Sequence, residues 1–144
     1  MLQMSRTIYE MMIAHCRRET PKEACGLLAG SGGAVTKIYP MTNADNSPIS
    51  YTMDPLEQLR AQKAMRADGV ELAAIYHSHT ASSAHPSPTD IKMAAYPDAF
   101  YVVVSLAVPM RPVAKAFRIV EGQVAEDDLQ VIEQAPIMER RDGA

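Results

Sequence analysis

A chain of 144 residues, 47% hydrophobic and 22% charged, has the size and balance of one globular domain able to bury a core without disulfides. Its net charge of −3 supplies no basic face, which argues against nucleic-acid binding. The longest apolar run, residues 99–108, is too short to span a bilayer, and the first residues lack a signal-peptide pattern, so a cytoplasmic protein without membrane association is expected.

Ser5 is placed to cap a first helix running to about Arg18, with an apolar stripe at Ile8, Met11, Met12 and His15. His15, the weak member of that stripe, is expected at the helix surface or half-buried. Thr20-Pro21 stops the helix. CGLLAG, from Cys25, reads as a buried strand, Ser31-Gly32-Gly33 as a turn, and AVTKIYPM as its partner strand. TNADNSP, residues 42–48, is a loop of turn formers, and a short strand is expected near ISYTM. Asp54 and Pro55 open a second helix as cap and first helical residue, and Asp68-Gly69 closes it. ELAAIYHSH is the next strand. A polar loop leads to a short helix that begins near Ser87 and stops before Pro97. FYVVVSLAV is apolar on both faces and belongs in the middle of a sheet. VAKAFRIV and VAEDDLQVI predict a closing hairpin around Glu121-Gly122. The order predicts an α/β domain over residues 1–135, a mixed sheet flanked by helices, followed by a flexible charged tail over residues 136–144. Cys16 and Cys25 show no CxxC spacing and are expected to be free thiols, Cys25 packed rather than nucleophilic. The ten methionines are expected to fill the core.

His77-Ser78-His79 ends a strand. Strand side chains alternate, so the two imidazoles share a face and can reach one ion. A catalytic zinc takes three protein ligands and keeps a position open. Asp90, thirteen residues after His77, is the nearest acid downstream, and the intervening loop is long enough to fold back. A His-His-carboxylate set suits zinc, although the ligand types also admit iron and cobalt. Simpler accounts exist for each residue. An HxH at a strand end is usually a packing or surface feature. Ser87-Pro88-Thr89-Asp90 is a helix start, with Ser87 as cap, Pro88 at the first position and an acid in the first turn. The two accounts are compatible, because a helix N-terminus is a rigid place from which to aim a ligand.

The string His77-Ser78-His79, seven residues, Ser87, two residues, Asp90 resembles the JAMM (MPN+) metallopeptidase signature H-x-H-x7-S-x2-D. Glu23-Ala24-Cys25-Gly26-Leu27-Leu28 is similar to the glutamate segment of that family. PKEACGLLAG, PMTNADNSP and YHSHTASSAHPSPTD resemble its standalone bacterial branch, which acts on small ubiquitin-like sulfur-carrier proteins. The resemblance implies a single-domain JAMM/MPN fold, broadly like that of cytidine deaminases. It implies Zn2+ held by His77, His79 and Asp90, Glu23 as general base, and Ser87 as hydrogen-bond donor to the oxyanion. It also implies cleavage after the C-terminal Gly-Gly of a ubiquitin-like carrier, releasing cysteine or a short extension. Without the motif, Glu23 would read as a solvated residue. His85, in the loop between the ligands, is either solvated or a contact to metal or substrate. Four other readings compete. A metal-free MPN-type scaffold usually lacks part of the ligand set, whereas here every motif position is filled; an isopeptidase with another protein substrate would share the same site. A zinc deaminase would need H-x-E and P-C-x-x-C, and the chain has neither. DNA-repair relatives carry an N-terminal helical region not seen in this sequence.

Overall fold

The computed structural model describes residues 1–133. In chain order these form β1 (Leu2–Ser5), α1 (Arg6–Glu19), β2 (Cys25–Ser31), β3 (Ala34–Met41), α2 (Pro55–Asp68), β4 (Glu71–His79), α3 (Pro88–Met93), β5 (Phe100–Ser105), β6 (Val113–Val120), β7 (Gln123–Asp127) and β8 (Leu129–Ile132). The tail expected over residues 136–144 lies outside the described residues. The strands make one mixed sheet in the order β7-β6-β5-β4-β2-β3-β1-β8, parallel at β4–β5, β1–β3 and β1–β8 and antiparallel elsewhere.

Alternation along the strands decides which helix each side chain meets. Leu28, Ala74, Tyr76, Val102 and Val104 face α1, packing with Met12, Ile13 and Cys16. Leu27, Ile75, Tyr101 and Val103 face the other way, onto Ala61 and Met65 of α2, with Ile91 of α3 against the same cluster. β5 is buried at every position, as a run apolar on both faces requires. Its neighbour β4 carries the HxH at its C-terminal end, on the α2 side of the sheet.

Local chemistry starts and stops the helices where the sequence predicts. Ser5 Oγ accepts from the Ile8 N–H, and Asp54 accepts from the N–H groups of Leu56 and Glu57. Gly69, at φ 68°, ends α2 in the left-handed conformation that glycine adopts without penalty.

Five expectations are corrected. The first strand, β1, was not anticipated: Leu2–Ser5 is four residues long, and its pairing lies mainly with β8 at the far end of the chain. VAEDDLQVI is not one strand. β7 hairpins onto β6, then the chain crosses to the opposite edge of the sheet, where β8 runs parallel to β1. ISYTM forms no strand. Its backbone contributes one isolated bridge, Asn43 to Met53. The buried face of α1 carries Met12, Ile13, His15 and Cys16, while Met11 is half exposed. Residues 8, 9 and 11–14 are nearly all apolar, so periodicity admits several stripes and packing against the sheet selects one. His15 is thus buried, with Nδ1 2.7 Å from the Tyr76 hydroxyl. The methionines divide: Met4, Met12, Met41, Met53 and Met65 are in the core, whereas Met93 and Met110 are exposed.

Candidate metal centre

β4 ends with His77 and His79 projecting from the same face, buried at 1% and 4% exposure. Eight residues on, α3 begins with Ser87 as cap and Pro88 at its first position. The capping box is complete. The Asp90 N–H donates to Ser87 Oγ at 3.1 Å, and the Ser87 N–H donates back to Asp90 Oδ2 at 2.8 Å. The cap therefore fixes the Asp90 carboxylate and aims it at the histidines. His77 Nε2 lies 2.9 Å and His79 Nε2 3.0 Å from Asp90 Oδ2, and the two Nε2 atoms are 3.1 Å apart.

Three ligand-type atoms in a triangle with edges near 3 Å fit a divalent cation. Tetrahedral zinc with bonds of roughly 2.0–2.1 Å needs ligand atoms roughly 3.3 Å apart, so a small outward relaxation would admit the ion. The donor chemistry agrees. The Ser83 carbonyl accepts from His79 Nδ1 at 2.9 Å, which leaves the lone pair of Nε2 facing the triangle. Tyr51 stacks on the His77 ring, with centroids 4.7 Å apart, and closes one side of it. His77 Nδ1 is buried with no partner among the described residues. Burial alone would push the Asp90 carboxyl up. Hydrogen bonds to His77, His79 and the Ser87 amide outweigh it and hold Asp90 well below the usual carboxylate range. Burial also pushes His77 down, toward the neutral form that ligates metal.

Glu23, two residues before β2, is 5% exposed rather than solvated. Burial pushes its carboxyl up to about 7, with the charge of His79 opposing and that of Asp90 adding. Its Oε1 has no hydrogen-bond partner among the described residues. A buried carboxylate near pH 7 with an uncommitted oxygen can take and release a proton. Cys25, on β2 opposite His77, is buried with its thiol pushed up to about 12 by burial, which leaves it a packed side chain rather than a nucleophile. His85 is not part of the triangle; its ring packs edge-on against Phe117 at 5.5 Å. Tyr51 and Ser78 were not singled out from the sequence. Tyr51 sits in a segment without periodicity, and nothing in its spacing relates it to His77.

Residues 5–120 match the family model of prokaryotic homologs of the JAB domain, and the chain belongs to this family, a class of hydrolases on a mixed-sheet JAB/MPN fold. Among its relatives, the CysO-cysteine peptidase of Mycobacterium tuberculosis is 50% identical over 126 residues, covering 85% of this chain and 86% of that one. The probable TtuB-protein conjugate cleaving protease of Thermus thermophilus is 40% identical over 123 residues, covering 85% and 78%. A solved structure from Desulfitobacterium hafniense, protein DSY2949, superposes with a TM-score of 0.86 at 40% identity over 94% of this chain and 95% of that one.

Proposed function

We propose that the chain is a zinc-dependent peptidase that hydrolyses the amide bond after the C-terminal Gly-Gly of a small ubiquitin-like sulfur-carrier protein, releasing cysteine or a short extension. The observation that carries the reading is the triangle of His77 Nε2, His79 Nε2 and Asp90 Oδ2, with the buried Glu23 carboxylate, its Oε1 unpartnered among the described residues, near enough to feel the charges of His79 and Asp90. The relatives named for CysO-cysteine and TtuB-conjugate cleavage supply the substrate class.

His77, His79 and Asp90 would hold the metal. Zinc bound there supplies Lewis acidity, making water more acidic and polarising the scissile carbonyl. Glu23 receives the proton of the attacking water at its carboxylate and delivers it to the leaving amine. Ser87 Oγ accepts from the Asp90 amide, so its own hydrogen remains free to donate to the oxyanion that develops on the carbonyl. The cap and the oxyanion contact therefore use different parts of one hydroxyl. Tyr51 covers His77 and limits access of bulk water to that face of the site. Beside Asp90 a cavity of about 200 Å3 opens between residues 50–53 and α3, lined by Tyr51, Met53, Met93, Tyr96 and Tyr101. Residues 49–53 belong to no strand, and Asn43 and Ala44 take up the Ser50 carbonyl and both backbone groups of Thr52. An extended peptide laid along the segment would pair with the N–H and carbonyl of Tyr51, which have no partner among the described residues. Glycines at the tail permit the closest approach of that peptide to the ligands.

The test is mass spectrometry of a carrier bearing Gly-Gly and a short extension, incubated with zinc-loaded wild type, His77→Ala and Glu23→Gln. Cleavage directly after Gly-Gly by wild type alone is expected, with one zinc per chain in wild type and Glu23→Gln and none in His77→Ala after mild chelation. Equal zinc in wild type and His77→Ala would sink the metal assignment. Cleavage elsewhere, or equal turnover when the last Gly is replaced by Val, would sink the substrate assignment.

A further inference from the structure

Glu23 lies outside any strand, and Oε1 of its carboxylate has no partner among the described residues. No hydrogen bond at Oε1 sets where the carboxylate points, so its aim depends on the backbone that carries it. All four backbone polar groups of Glu23-Ala24 are taken up by two other parts of the chain. The Ala24 N–H donates to Ser78 Oγ at 2.8 Å, and the Ala24 carbonyl accepts from the Ser78 N–H at 3.0 Å. The Glu23 N–H donates to the Ser47 carbonyl at 2.9 Å, and the Glu23 carbonyl accepts from Asn43 Nδ2 at 3.0 Å.

Asn43 also organises the loop that provides Ser47. Its Nδ2 donates to the Ser50 carbonyl at 2.9 Å, and its Oδ1 accepts from the N–H groups of Asp45 and Thr52 at 3.0 and 3.1 Å. A side-chain amide offers two donors at one end and two acceptor lone pairs at the other, and here both ends are in use. Ser78 stands between the two histidines on β4, so its side chain leaves the opposite face of the strand.

We infer that Asn43 and Ser78 are positioning residues that clamp the Glu23-Ala24 backbone and so aim the Glu23 carboxylate. The inference rests on the reading of Glu23 as general base. Ser78 ties the base to the strand that carries two ligands, which places base and ligands in one rigid frame. Asn43 ties it to the loop that carries Tyr51 against His77. A general base works only within roughly 2.6–3.2 Å of the proton it takes, and a displacement of about 1 Å can lower turnover roughly 100-fold.

The experiment is a double-mutant cycle on the zinc-loaded enzyme. Asn43→Asp keeps the shape and the Oδ1 acceptor but turns an oxygen toward the carbonyls of Glu23 and Ser50. It is expected to leave zinc content unchanged and to lower kcat roughly 100-fold. In the Glu23→Gln background the same change should lower kcat no further, because no base remains to be aimed. A wild-type kcat in Asn43→Asp, or an equal loss in both backgrounds, would overturn the inference. If Asn43→Asp does not fold, Ser78→Ala opens the clamp from the β4 side and is held to the same two criteria. Full activity in Glu23→Gln itself would refute the general-base reading and the inference with it, and that result is seen before any clamp variant is added.

Discussion

Burial sets the chemistry of Glu23. Its carboxyl stands at about 7 in the fold against an ordinary 4.5, so the folded state favours the protonated form. That contribution to stability is complete below about pH 4.5 and is lost as pH rises through about 7. At one unit per 1.36 kcal/mol, holding the charged form at pH 8 costs at most about 3 kcal/mol. Chelator-treated Glu23→Gln should therefore unfold at higher denaturant than chelator-treated wild type at pH 8, and the two should converge near pH 4. Parallel curves at both pH values would show that Glu23 is not held in this environment. With zinc restored the same variant should keep its metal and lose roughly 10²–10⁴-fold in rate, the range of a general base. Retention of more than about a tenth of the rate would remove Glu23 from the mechanism. The motif located Glu23, His77, His79, Ser87 and Asp90, and the fold gathers the three ligand candidates into one triangle. Asn43, Tyr51 and Ser78 were illegible because their roles depend on hydrogen bonds and stacking across the fold. Asn43 in a turn-rich loop looks like any other turn residue.

At the scale of the element, α3 is six residues long with no buried side chain, so its cap counts for more than its packing. Ser87→Ala removes the cap oxygen and should cost about 1 kcal/mol, whereas Ser87→Gly recovers most of that, because glycine at a helix N-cap costs only a few tenths of a kcal/mol. Neither variant can donate to an oxyanion. Thermal melts should separate the two variants while kcat stays low in both. If activity returned with stability in Ser87→Gly, the hydroxyl would be a cap and nothing more. Elements with a local signature were readable from sequence: Ser5, Asp54, Gly69 and Ser87 mark helix ends through side-chain or backbone chemistry within a few residues. The stripe on α1 was not, because apolar residues occupy more than one face. Gly26 shows another limit. A Cβ there would fall 2.3 Å from the Tyr76 ring, a constraint set by the β2–β4 pairing and invisible in the string CGLLAG.

Across the whole molecule, the site lies toward the middle of the sheet and the β1–β8 pair at one edge, with β2 and β3 between them. Val131 packs against the cluster containing Leu2 and Met4. Val131→Asp should lower the melting temperature, since it gives up apolar burial at a partly buried position and puts an unpaired carboxylate there. Zinc stoichiometry and KM should be unchanged. A loss of zinc at temperatures where the variant is folded would show that the edge and the site are not separable. The crossing from β7 to β8 escaped the sequence because both pieces read as strand and only long-range pairing separates them. That pairing has a consequence for synthesis of the chain on the ribosome. β1 meets β3 at a single register position, Gln3 with Ala34, but meets β8 at four. β1 thus has little to pair with until β8 has been made. At 5–20 residues per second, the edge of β1 that pairs with β8 stays open for on the order of ten seconds. Over that interval the nascent chain exposes an open strand edge, a template on which a neighbour on the same messenger can pair.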